Sequence, residues 1–89
     1  EHPFLAAARS WRHTRQPLDP GDLRQLRATY YGMMAEVDAQ VGRLLGALDD
    51  LGAADDTIVV VTSDHGEMLG DHGLMSKLGF FDQAFHIPL

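Results

Sequence analysis

Thr57-Ile58-Val59-Val60-Val61-Thr62 is the one strongly strand-like run in the chain, and Ser63-Asp64-His65-Gly66-Glu67 follows it directly. Its apolar core is continuous and does not alternate, which is the pattern of a parallel strand covered on both faces. In open α/β sheets, ligands bind beyond the carboxyl ends of the strands, so Asp64 and His65 fall where a site belongs. A carboxylate beside an imidazole suits a hard or borderline divalent cation. Taken alone, the pair also reads as a glycine-flanked loop held by local hydrogen bonds.

Upstream of the strand lies a long amphipathic helix, expected over residues 19–51. Asp19 is an N-cap, Pro20 suits the first helical position, and Asp22 sets a negative charge near the positive end of the helix dipole. Leu23, Leu26, Tyr30, Met33, Val37, Val41, Leu44, Leu48 and Leu51 recur at intervals of three and four. Gly52 is the stop. About 30 residues at 1.5 Å each give roughly 45 Å, and such a stripe needs a large partner surface. Gly42 and Gly46, one turn apart, would let another backbone approach closely. Charges at Asp38, Arg43, Asp49 and Asp50 exclude a membrane reading of that spacing.

One helix cannot cover both faces of a buried strand, and no second convincing strand accompanies this one, although His86-Ile87-Pro88-Leu89 resembles the start of another. The expectation is therefore a piece of a larger α/β domain, cut at both ends. Eighty-nine residues would be marginal as a domain on their own. The absence of cysteine excludes disulfides and thiolate metal sites. A net charge of -6 and a pI near 5.1 argue against nucleic acid as the main partner. No apolar run reaches the roughly 20 residues that cross a bilayer. Residues 1–18 hold three of the seven Lys and Arg residues, with Arg9, Arg12, Arg15, His2 and His13 around Phe4-Leu5-Ala6-Ala7-Ala8. They read as an irregular segment or short helix at the surface, with no function assigned to either histidine.

Residues 63–79 form the expected metal and substrate loop. Gly66 permits a tight turn after the ligands, and Gly70 and Gly73 let the loop fold back. Lys77 brings a compact cation on a flexible stem, suited to gripping an anionic group. Glu67, Asp71 and His72 are read as orienting neighbours through hydrogen bonds and not as ligands. Asp82 and His86 are read as structural.

The run 57–67, followed by Leu69-Gly70-Asp71-His72-Gly73 and by Lys77 thirteen residues after Asp64, resembles the sulfatase family of the alkaline phosphatase superfamily. Tyr30-Tyr31-Gly32-Met33-Met34-Ala35-Glu36-Val37-Asp38 and Val41-Gly42-Arg43-Leu44-Leu45 are similar to that family's long helix, and the resemblance extends over about 23–89. The wording of Ser63 to Gly73 and the opening His2-Pro3-Phe4-Leu5 are nearest to phosphonate monoester hydrolases. The resemblance implies a fragment of a large α/β/α sandwich. It implies Asp64 and His65 as ligands of one divalent cation, calcium or manganese, and Lys77 as a catalytic contact to the sulfate or phosphoryl oxygens of a small-molecule ester substrate. In such enzymes a cysteine or serine in a Cys/Ser-X-Pro-X-Arg motif becomes formylglycine, whose hydrate attacks in line.

This chain lacks that motif, and it lacks the family's N-terminal Asp-Asp ligand pair and further active-site histidine. The isolated segment is therefore expected to be inactive. The competing reading is a metal-binding or interaction module without catalysis, held in a homo-oligomer by the long helix; a third is an inactive relative that has lost its nucleophile.

Overall fold

The computed structural model describes residues 2–11, 15 and 19–88. Helix α1 covers Pro3–Ser10, α2 Pro20–Asp50 and α3 Asp82–Phe85, with single 3-10 turns at Ala54–Asp56 and Asp71–Gly73. Contacts divide the chain into two units, one of residues 1–24 with 61–89 and the other of residues 25–60.

Both ends of α2 follow from named residues. The Asp19 carboxylate accepts the N–H of Gly21 at 2.6 Å and, at longer range, that of Asp22. At the other end Gly52 takes φ 64, its N–H donates to the Asp49 carbonyl, and the Ala53 N–H donates to that of Leu48. That pair of bonds is a Schellman cap, in which the left-handed glycine lets the chain turn back on the last carbonyls. The apolar stripe between these ends is largely uncovered. Leu44 is 69% exposed and Val37 63%, and no residue of α2 is buried. Nothing lies within 4 Å of the Cβ positions of Gly42 and Gly46. None of the described helices is long and apolar enough to cross a membrane.

The expected buried strand over 57–62 is not formed within the described residues. Those residues carry no ladder partner among the described residues, and Ile58 is 90% exposed. A parallel strand exists only through neighbours that satisfy its N–H and C=O groups, and these residues offer none. Among the described residues, one isolated bridge is seen, antiparallel between Arg15 and Leu74. Thr62 at the end of the run donates its hydroxyl to the Pro88 carbonyl at 3.0 Å.

The unit holding 61–89 has a small core of its own. Ala8, Met68, Leu74 and Ala84 are buried, and Leu5, Leu78 and Phe81 pack against them. One turn of α1, the 63–79 loop and α3 therefore share a centre. Most of the described N-terminal residues are exposed, but Ala8 is completely buried and anchors the segment. His2 begins α1 by accepting the Phe4 N–H on Nδ1, with Pro3 at the first helical position. Arg9 Nε donates to the His72 carbonyl at 2.9 Å and ties the helix to the loop. The expectations for Arg12 and His13 lie outside the described residues.

Candidate metal and oxyanion site

The turn Ser63–Gly66 is held by its own side chains. The Ser63 hydroxyl donates to the His65 carbonyl at 2.7 Å, and an Asp64 carboxylate oxygen accepts the His65 N–H at 3.0 Å. The other Asp64 oxygen, Oδ2, stands 3.6 Å from His65 Nε2. That separation is too long for a hydrogen bond. It does suit two donors around a third atom, because neighbouring ligands about 2.0–2.4 Å from one cation sit roughly 3–4 Å apart.

The imidazole is oriented as a ligand should be. His65 Nδ1 lies 2.7 Å from the Gly66 carbonyl. A carbonyl can only accept, so Nδ1 carries the hydrogen and Nε2 of the neutral ring keeps its lone pair on the side of Asp64. Asp64 is largely exposed and His65 half-buried, which leaves room for a cation and its further ligands. The donor set, one carboxylate and one imidazole, fits a divalent cation. Among the described residues no group of three or more His, Asp or Glu side chains converges, so Asp64 and His65 stand as a pair of candidate donors.

The turn is locked to α3 through Gly66. Its N–H donates to the Ala84 carbonyl at 2.8 Å, and a Cβ on residue 66 would stand 2.0 Å from the Gln83 carbonyl oxygen. The sequence reading gave Gly66 a conformational role. Its observed role is steric, a close approach of two backbones.

Lys77 is exposed, and no hydrogen bond or ion pair among the described residues joins it to Asp64 or His65. What fixes its place is the loop before it. Met68 N–H donates to the Ser76 carbonyl at 3.0 Å and Gly70 N–H to that of Leu74 at 2.8 Å, so the loop closes on itself over the buried Met68 and Leu74 side chains. Closure requires left-handed backbone at Leu69, His72 and Ser76, with φ of 47°, 54° and 66°. Each such non-glycine residue costs about 1 kcal/mol or more and needs compensating contacts.

Glu67, Asp71 and His72 supply those contacts. The Glu67 carboxylate accepts the N–H of Leu69 and that of Ser76. Gln83 donates to the Asp71 carboxylate at 3.2 Å, and the His72 ring stacks on Phe81 with centroids 4.1 Å apart. Sequence spacing could not disclose the Glu67–Ser76 or Gly66–Ala84 pairings, since both join positions brought together only by folding. An apolar cleft of about 290 Å³, lined by His2, Phe4, Leu5, Gly79, Phe80 and Phe81, includes none of Asp64, His65 and Lys77.

The family model described as Sulfatase matches residues 2–89. The chain belongs to the sulfatase family. Among its sulfatase-family relatives, it is 51% identical over 72 residues to the multifunctional alkaline phosphatase superfamily protein PehA of Trinickia caryophylli, covering 81% of this chain and 14% of that protein. It is 52% identical over 66 residues to human iduronate 2-sulfatase, covering 74% of this chain and 12% of that one. The crystal structure of the phosphonate monoester hydrolase of Agrobacterium radiobacter is similar with a TM-score of 0.72 and 57% identity, over 75% of this chain and 13% of that one. This sulfatase segment thus spans 12–14% of the length of these relatives. Family membership and the structural likeness together support an alkaline phosphatase-like fold, to which the segment contributes helix and loop.

Proposed function

We propose that this segment is the part of a sulfatase-type hydrolase that supplies two ligands and one oxyanion contact for hydrolysis of sulfate, phosphonate or phosphate esters. The observation that carries the reading is the 3.6 Å separation of Asp64 Oδ2 and His65 Nε2, with Nδ1 engaged by the Gly66 carbonyl. Asp64 and His65 would hold one divalent cation, calcium or manganese, with the remaining ligands and the formylglycine nucleophile coming from outside these residues. When bound, the cation polarises the ester oxygens and lowers the nucleophile's pKa. Lys77 places a positive charge where negative charge grows on the transferring group, and that interaction strengthens toward the transition state. Gly66 and Ser63 keep the two ligands in register, and the Glu67-closed loop carries Lys77.

The names of the relatives support both sulfate and phosphonate esters as substrate classes, since an iduronate 2-sulfatase and a phosphonate monoester hydrolase are both close in sequence. The test uses the full-length protein carrying this segment. Asp64→Ala should lower bound divalent metal and ester turnover together. Lys77→Ala should lower turnover of aryl sulfates and phenylphosphonate esters while leaving metal content and fold unchanged. Unchanged turnover of both ester classes by both variants would refute the proposal.

A further inference from the structure

Glu67 sits two residues after His65, yet its carboxylate turns away from ligation and into the loop. One oxygen, Oε1, accepts two backbone N–H groups, that of Leu69 at the start of the loop and that of Ser76 at its end. Beside them the Met68 N–H donates to the Ser76 carbonyl, so Ser76 is gripped through both its backbone groups. Ser76 is left-handed at φ 66 although it is not glycine, and Lys77 is the next residue. The strained residue that precedes Lys77 is therefore held by one half-buried carboxylate.

We infer that Glu67 is the positioning residue for Lys77: its carboxylate fixes Ser76 in the left-handed conformation and so delivers the lysine ammonium to a bound tetrahedral oxyanion. The inference rests on the reading of Lys77 given above. A charged acceptor shared by two N–H donors makes stronger bonds than a neutral one, and removing it leaves Ser76 free to relax toward right-handed or extended backbone. Either relaxation redirects the residue that follows. Oxyanion contacts act only when pre-aimed, so the lysine would lose its effect without being altered itself.

The test is a double-mutant cycle in the full-length protein, with kcat/KM for an aryl sulfate and a phenylphosphonate ester and the Kd of inorganic sulfate and of inorganic phosphate as readouts. Glu67→Ala is expected to lower kcat/KM by about tenfold to hundredfold, the loss of a hydrogen bond to a charged group, and to weaken anion binding as Lys77→Ala does, with bound metal unchanged. Adding Glu67→Ala to Lys77→Ala should then cost less than about threefold more, since coupled residues are non-additive. Glu67→Gln keeps an Oε1 acceptor and should remain within about fivefold of the parent.

Full additivity of the two alanine variants, or loss of metal with Glu67→Gln, would overturn the inference by making Glu67 an independent catalytic group or a ligand. If Glu67→Ala yields no folded protein, Glu67→Gln carries the test alone, and a hundredfold loss there overturns it equally. A Lys77→Ala variant with full activity would instead defeat the proposed role of Lys77, and this inference with it. The two failures are thus told apart.

Discussion

Gly66→Ala tests the coupling between ligand turn and fold at a single atom. The added Cβ would stand 2.0 Å from the Gln83 carbonyl oxygen, 3.0 Å from its carbonyl carbon and 3.4 Å from Ala84 Cα. All three are backbone atoms, so no side-chain rotation clears the space. The oxygen must retreat by more than about 1 Å to reach an ordinary carbon–oxygen contact. That movement breaks or stretches the 2.8 Å bond from the Gly66 N–H to the Ala84 carbonyl. The loss of a backbone bond is worth about 1 kcal/mol, and forcing extra volume into packed structure costs about 1–3 kcal/mol. Alanine returns at most about 1 kcal/mol by restricting the unfolded chain. The net expectation is a destabilisation of about 1–3 kcal/mol.

A second consequence of the same substitution is chemical. The carbonyl that orients His65 belongs to residue 66, and a neighbour orienting a ligating imidazole is worth about tenfold to hundredfold in metal affinity. Denaturant unfolding of the full-length protein, read beside its affinity for manganese and calcium, measures both effects. Stability within about 0.5 kcal/mol of the parent together with undiminished metal affinity would show that the turn is not wedged against α3 as described.

Other substitutions probe the remaining supports. Leu74→Ala empties a fully buried position beneath the loop and should cost about 2–5 kcal/mol, seen as a lowered unfolding midpoint. Asp19→Ala removes the cap of α2 and should cost about 1 kcal/mol, seen by circular dichroism as lower helicity in a peptide spanning 19–53. Stripping divalent metal with a chelator should abolish ester turnover in the full-length protein, and restoration by added manganese or calcium should fail in His65→Ala.

Much of α2 was legible because its determinants are local. Asp19 caps within three residues, Gly52 reverses the chain within two, and the stripe between them repeats at the helical period. The Asp64–His65 turn was legible for the same reason, its bonds joining residues one or two apart. Helix α1 was harder to see. Histidine is not a usual N-cap, and the arginines around Ala8 suggested a solvated face where one alanine in fact packs into the core. The loop's left-handed residues were not legible at all. Leu69, His72 and Ser76 have no glycine signature, and what holds the last of them is a carboxylate nine residues away in sequence.

The valine-rich run and the stripe of α2 express one physical condition in two ways. An apolar side chain of Val or Leu gains about 1.5–3 kcal/mol on full burial. Ile58 at 90% exposure and Leu44 at 69% realise little of that gain here. The backbone groups of 57–62 likewise lack ladder partners among the described residues. The site-bearing residues 61–88 differ, because Met68, Leu74 and Ala84 reach full burial against Ala8 with contacts the segment itself provides. Local contacts therefore order Asp64, His65 and the loop that carries Lys77. On the proposed reading, residues 57–62 and the stripe of α2 are covered by surfaces outside this segment and the cation takes further ligands from there, so metal affinity should rise sharply only where both are present together. Manganese binding by the isolated 89-residue chain as tight as that of the full-length protein would contradict that division of labour.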